Sequence, residues 1–371
     1  MKFFKADMIK FVDLKAQYDS IKEEVDSAMQ GVLDSTNFIM GENLRAFENE
    51  FAEFCNAKFC IGINSGTSAL HLALLAKKIG KGDEVITAPN TFIATCASIS
   101  YTGAIPKLVD IDPQTYNIDA KKLEKVISPK TKAVIPVHLY GQPADMKQVI
   151  EVSEKHSLAV IEDACQAHGA EHYNKRVPIS GTGCFSFYPG KNLGAYGEGG
   201  CIVTNDGEIE GLVKAYRDHG QVKKHVHKYI GYNYRLEEIQ AAILRVKLRH
   251  LGKWTDMRRK NASVYNEMLK DCDIKVPTEK EYNRHVYHLY VIRVKNRQNL
   301  VEHLNSKEIQ TAIHYPTPIH LQEAYNFLNC RKGSFPIAEK YADEILSLPM
   351  FPELKEGEIS TVAKSIKEFF E

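Results

Sequence analysis

Two hydrophobic periods alternate along the chain. From Asp13, a residue type that caps helices, Leu14, Tyr18, Ile21, Val25, Met29 and Val32 recur at spacings of three and four. This predicts one amphipathic helix. Leu44, Phe47, Phe51 and Phe54 predict a second helix. The period then changes. Continuous apolar runs at 58–64, 84–89, 105–112, 132–138 and 158–164 read as buried strands, separated by a turn into a helix at 65–78 and by helices at 91–101 and about 145–156. Two more strands, 183–187 and 201–204, and helices near 207–218 and 235–250 complete the block. Apolar strands alternating with helices predict an α/β fold, with a parallel or mostly parallel sheet covered on both faces.

The texture changes after about Trp254. A helix to Lys270, the strand-like run 288–294, a helix at 297–306 and a final helix pair bracketing 346–351 predict a smaller α+β domain. The reading is a large domain over 1–253 and a small C-terminal domain over 254–371, joined by a long helix near 240–268 because no Pro/Gly/Ser linker separates them.

Composition narrows the class. The chain has 371 residues, 44% apolar and 26% charged, with a net charge of +1. No whole-chain field draws it to nucleic acid or an anionic membrane. The eight cysteines lie at 55, 60, 96, 165, 184, 201, 272 and 330, with no C-x-x-C pair, so no metal site is expected. Cysteines inside apolar strands fit a reducing cytoplasm. The first eleven residues, MKFFKADMIKF, lack a signal-peptide core, and no apolar run reaches membrane-spanning length.

The candidate chemistry centres on FSFYPGKNLGAYGEGG, 185–200. It places one lysine, Lys191, between two buried strands, followed by Gly194, Gly197, Gly199 and Gly200. A lysine desolvated in such a loop can become an amine nucleophile toward an aldehyde cofactor. Three further groups fall at the carboxyl ends of predicted strands, where open α/β sheets bind ligands. Asn64-Ser65-Gly66-Thr67-Ser68 can cradle a phosphate at a helix start, or simply cap it. Glu162-Asp163-x-x-Gln166 offers a carboxylate for a protonated ring nitrogen. Thr91-Phe92 offers an aromatic cover, or a core aromatic. Ser186 precedes Lys191 by five residues. A lysine, a strand-end carboxylate, an anion cradle and an aromatic lid are what pyridoxal 5'-phosphate (PLP) requires. The glycines do not spell a dinucleotide fingerprint, and Ser65 is not in a G-x-S-x-G elbow.

NSGTSAL, PNTFIATCASISYTGA, PVHLYGQPADM, IEDACQAHGA, CFSFYPGKNLGAYGEGG and GYNYRLEEIQAAILRVKL occur here in one order. In these the chain resembles the DegT/DnrJ/EryC1/StrS family of PLP-dependent nucleotide-sugar aminotransferases, nearly end to end. The resemblance implies a type I aminotransferase fold: a large domain with a mostly parallel mixed sheet between helices, and a smaller C-terminal α+β domain. It implies a homodimer with shared active sites. It makes Lys191 the Schiff-base lysine and general acid/base, and assigns Asp163 to the pyridine nitrogen and Gln166 to the ring hydroxyl. Phe92 would stack on the ring. Gly66, Thr67 and Ser186 would hold the phosphate, and Asn233 would reach the phosphate held by a second copy. Members with histidine in place of the lysine perform dehydration instead, and Lys191 argues against that.

The loop YPGKNLGA is similar to that of enzymes acting on dTDP-linked 3-keto-6-deoxyhexoses, which implies a dTDP-3-amino-3,6-dideoxyhexose product and L-glutamate as donor. Amination at C4 of a UDP- or dTDP-linked 4-keto sugar stays open, as does a non-catalytic PLP-binding regulator. Candidate sugar contacts are Tyr188, His314 and Tyr315. Lys223, His225 and Tyr229, in a basic and aromatic run, are candidates for the nucleotide diphosphate across the dimer interface. His320 could close the sugar pocket or be a core histidine.

Overall fold

The structure is a computed structural model that describes residues 8–371. The part of the N-terminal reading that concerns residues 1–7 lies outside the described residues. Among these residues, no helix is long and apolar enough to cross a membrane.

The predicted strands meet in one mixed, mostly parallel sheet. Ile105–Leu108, Glu84–Thr87, Thr131–Val134 and Ala159–Val160 pair in that order, all parallel. The chain continues through Ile161 into Glu162–Asp163, which pairs parallel with Thr182–Ser186. Gly200–Thr204 and Phe59–Ile63 extend that side antiparallel. The predicted strand 158–164 is thus central: the Ile161 and Asp163 N–H groups donate to the Val134 and Pro136 carbonyls on one side, while Glu162–Asp163 pairs with Thr182–Ser186 on the other. The run 132–138 is shorter than predicted, pairing regularly only through Val134. Pro136 lacks a donor, and His138 leads into a single turn over Leu139–Gly141.

Helices Gly66–Ala76, Ile93–Tyr101 and Met146–Lys155 connect the strands. Gly66–Ala76 packs its apolar length on Ile61, Ile63, Cys184 and Ile202 of the sheet. On the opposite side Phe47 and Phe51, from the helix Glu42–Phe54, meet Phe185 and Phe187 edge-on at 5.1 to 5.5 Å.

The expected first helix is two. It runs Leu14–Ser20, breaks at Ile21 (φ −131°) and resumes at Lys22–Ser35. Leu14 is exposed, while Ile21 and Val25 pack against Ile243, Val246 and Trp254 of the long helix. The break turns the second segment's apolar stripe onto that helix. The long helix expected near 240–268 is present as Glu238–Leu269, so the helical stretches read at 235–250 and up to Lys270 are parts of one helix. Its first half buries Ala241, Leu244 and Leu251 with the aromatic cluster, and its second half buries Ala262, Tyr265 and Leu269 against the C-terminal pair of strands, Tyr290–Arg293 and Ile345–Leu348.

Candidate active site

The carboxyl ends of the central strands open on a cavity of about 600 Å³. That volume suits a small-molecule site. Ser186 ends the strand Thr182–Ser186, and the chain then loops to Lys191 before returning as Gly200–Thr204. Two bonds close the loop: Ala195 N–H donates to the Phe187 carbonyl and Phe187 N–H to the Gly199 carbonyl, each at 2.7 Å. A Cβ on Gly194 would lie 2.3 Å from the Pro189 carbonyl oxygen, so only glycine fits there. Lys247 Nζ donates to the Gly194 carbonyl at 2.6 Å, and Gln240 Oε1 accepts from Tyr196 N–H at 2.9 Å. The long helix therefore holds the lysine loop from beneath. Burial pushes the Lys191 pKa below that of an ordinary lysine, opposed only in part by Cys165 and Asp163.

Strand alternation sends the two carboxylates of Glu162-Asp163 to opposite faces. Glu162 is fully buried away from the cavity, accepting from His138 Nε2 at 2.8 Å and from the Ser180 hydroxyl at 2.7 Å. His138 Nδ1 accepts from Ala144 N–H, which fixes that tautomer. Burial alone would raise the Glu162 pKa, but these partners bring it below the usual range. Asp163 is the carboxylate on the cavity. Its Oδ2 accepts from the Thr95 hydroxyl at 2.8 Å and its Oδ1 from Cys165 N–H at 3.2 Å.

Gln166 is oriented by two contacts. Its Oε1 accepts from Tyr140 N–H at 2.8 Å, which leaves Nε2 toward the Tyr315 hydroxyl at 3.4 Å. The Tyr140 hydroxyl in turn donates to the His314 carbonyl.

The helix Gly66–Ala76 starts at the cavity. Ser65 caps it, its Oγ accepting from Ser68 N–H at 3.1 Å. This is an ordinary cap that still leaves the Gly66 and Thr67 N–H groups beside Ser186. A Cβ on Gly66 would sit 2.7 Å from both Cys165 Sγ and Ser186 Cβ, so the backbone approaches the lysine strand directly. Phe92 is no core aromatic: it is 50% exposed, with its ring 5.3 Å from that of Tyr315. His314 also lines the cavity, its pKa pushed down to about 4 by burial and the Lys191 charge. Tyr188 stands at the mouth, 56% exposed.

The structure thus brings together Gly66, Thr67, Phe92, Asp163, Gln166, Ser186, Tyr188, Lys191, His314 and Tyr315. It does not bring Lys223, His225, Tyr229 or Asn233 to this cavity within one chain. The first two lie in the exposed hairpin of Gln221–Lys223 and Val226–His227, and Asn233 bridges Asp218. His320 is buried elsewhere, bonded to Glu339 at 3.0 Å. Sequence reasoning missed Thr95, Tyr140 and His288. Thr95 was detectable, since it lies one helical turn after Thr91 and so shares its face. Tyr140 lies within PVHLYGQPADM, a stretch that carries the resemblance without assigning this residue a role, and His288 opens the strand-like run 288–294.

Comparisons with known proteins identify the family and the fold. Residues 19–367 match the model of the DegT/DnrJ/EryC1/StrS aminotransferase family. A Geobacillus stearothermophilus protein named pleiotropic regulatory protein is 46% identical, covering 98% of each chain. The dTDP-3-amino-3,6-dideoxy-α-D-galactopyranose transaminase of Aneurinibacillus thermoaerophilus is 44% identical over 98% of this chain and 99% of its own. A UDP-N-acetyl-3-dehydro-α-D-glucosamine 3-aminotransferase from Acidithiobacillus ferrooxidans is 42% identical over 97% of both. Among solved structures, Streptomyces venezuelae DesV in complex with a ketimine intermediate superposes with a TM-score of 0.97, at 41% identity over 98% and 99% of the two chains. A Bacillus subtilis structure with bound cofactor PMP superposes with a TM-score of 0.91, at 29% identity over 99% and 86%.

Proposed function

Because the chain belongs to the DegT/DnrJ/EryC1/StrS aminotransferase family, we propose that it moves the amino group of L-glutamate to a dTDP-linked 3-keto-6-deoxyhexose. The product is a dTDP-3-amino-3,6-dideoxyhexose. The family depends on pyridoxal 5'-phosphate, which when bound supplies an electron sink for loss of a proton beside the nitrogen. The observation that carries the reading is the meeting of Lys191, Asp163, Gln166 and the start of helix Gly66–Ala76 on one cavity.

The donor set fits this cofactor. A helix start with free N–H groups suits the phosphate, and Gly66, Thr67 and Ser186 hold it. Asp163 holds the proton of the ring nitrogen, steadied by Thr95 and Cys165. Gln166, with Oε1 taken by Tyr140, offers Nε2 as a donor to the ring oxygen. Phe92 covers one ring face. Lys191 Nζ, biased by burial toward the neutral amine, is the group that would hold the aldehyde of the bound cofactor until the amine of the donor displaces it. Freed by that displacement, the same nitrogen would take the proton from the glutamate Cα and return one to the sugar carbon that receives the amine.

Tyr188, His314 and Tyr315 meet the sugar. Asn233, with Lys223, His225 and Tyr229, serves the cavity of a second copy, and exposure of the hairpin within one chain supports this. C3 is favoured over C4 because both sugar-aminating relatives named above carry their amine at C3. Those two differ in nucleotide, so a UDP sugar is the second reading. The relative with a regulatory name supports a third, a PLP-binding regulator.

A visible-spectrum titration tests the proposal. L-Glutamate should bleach the aldehyde band of the PLP-loaded protein, and a dTDP-3-keto-6-deoxyhexose should restore it. Recovery only with a 4-keto or UDP-linked sugar would replace the substrate and keep the chemistry. No bleaching by any amino acid would favour the regulator.

A further inference from the structure

We infer that His288 is a sugar-contacting residue whose Nε2 accepts a hydrogen bond from a hydroxyl of the hexose, and that Asn192 sets its tautomer. This rests on the sugar aminotransferase reading and deepens it.

His288 lines the same cavity as Lys191, although it comes from the segment before the strand Tyr290–Arg293, far from it in sequence. Its Nδ1 lies 3.3 Å from Oδ1 of Asn192, the residue that follows Lys191. The Asn192 amide cannot be turned round. Its nitrogen donates to the Val286 carbonyl at 3.0 Å, and a carbonyl only accepts. Oδ1 therefore faces His288, and an oxygen there requires a proton on Nδ1. In a neutral ring Nε2 is then a bare acceptor. The hydrogen bonds of the described residues include none to Nε2, and His288 is only partly buried and lines the cavity. Burial, Lys191 and Arg258 all disfavour a second proton and hold the pKa well below that of an ordinary histidine.

The backbone behind the ring is fixed. Arg258, buried in the long helix, donates to the carbonyls of Tyr287, His288 and Met350 at 3.2, 3.4 and 2.9 Å. A held imidazole presenting a bare acceptor to a cavity selects a donor. The nitrogen of an amino donor is the atom transferred and its carboxylates only accept, whereas a hexose offers hydroxyls. The acceptor-only nitrogen thus discriminates between the two substrates that share the cavity.

Three variants separate this role from a structural one. A Gln amide reaches about as far as Nε2, and an Asn amide about as far as Nδ1. His288→Gln keeps an acceptor toward the cavity, His288→Asn keeps only the contact with Asn192, and His288→Phe keeps neither. Each PLP-loaded protein is bleached with L-glutamate, and band recovery is followed against the concentration of the sugar that serves the wild type. In parallel, calorimetry measures how the PLP form binds dTDP-glucose and dTDP. The expected result is a loss of about tenfold or more in the sugar half-reaction for Phe and Asn, with Gln within a few-fold of wild type. The glutamate half-reaction should change little, and the advantage of dTDP-glucose over dTDP in binding should shrink in Phe and Asn. Asn matching wild type while Gln fails would overturn the inference in favour of a structural role. Equal losses in both half-reactions would also overturn it. If the wild type bleaches but no sugar restores its band, the sugar reading fails and takes this inference with it.

Discussion

The Thr95 hydroxyl donates to Asp163 Oδ2 at 2.8 Å while bonding Thr91 Oγ1 at 2.9 Å, so a helix start steadies the strand-end carboxylate. Bonds to an ionised acceptor are stronger than neutral ones. Thr95→Val keeps the shape and removes the donor. The expected outcome is weaker PLP binding and slower bleaching by L-glutamate, each by about tenfold. Fluorescence titration of the apoprotein with PLP and stopped-flow absorbance would measure the two effects. Unchanged values would remove Thr95 from the site.

Gly66 has no room for a methyl group. Its Cβ would press on Cys165 Sγ and Ser186 Cβ at 2.7 Å, with Ser186 Cα at 3.2 Å. Gly66→Ala must displace the helix start or the lysine strand. Overpacking of this kind costs about 1–3 kcal/mol. The variant should unfold at lower denaturant concentration, and added PLP should stabilise it less than it stabilises wild type. A full stabilising effect of PLP on the variant would mean that the phosphate does not sit at this helix start.

Lys247 gives a pH signature. It is 1% exposed, and burial lowers its pKa from 10.5 to about 8, opposed in part by Glu353. Below pH 8 the residue is charged in both folded and unfolded chains, and the full cost of burying that charge is present. Between about 8 and 10.5 the unfolded chain holds the extra proton, so stability rises with pH. The rise amounts to about 3 kcal/mol. Denaturation across this pH range should show the gain in wild type and its loss in Lys247→Met. The variant should also loosen the lysine loop, because the Gly194 carbonyl loses its donor.

Mixed dimers test whether Asn233 serves a second copy. Chains carrying Lys191→Ala and Asn233→Ala are each expected to be inactive. Co-expressed, they should form dimers in which one cavity carries both defects and the other carries none. Activity should then return to about half the wild-type value per mixed dimer. No recovery would place Asn233 in service of its own chain's cavity.

Much of this was legible in the chain before any coordinates. Continuous apolar runs alternating with helical spacing determined a mostly parallel sheet, because a strand covered on both faces has no polar side to show. The grouping of Lys191, Asp163, Gln166 and the Gly66 helix start on one cavity was legible because each lies at or after the carboxyl end of a strand, within a short stretch whose residue types have few other uses together. Tertiary structure alone decided the rest. The sequence could not say that Glu162 turns from the cavity and Asp163 toward it, since alternation fixes only that they oppose each other. Nor could it show that Ile21 breaks the first helix, or that the long helix read near 240–268 passes beneath the lysine loop. Tyr140, His288 and Lys247 lie far in sequence from the residues they touch. Their positions follow from packing between distant segments, and packing of that kind leaves no period in the sequence.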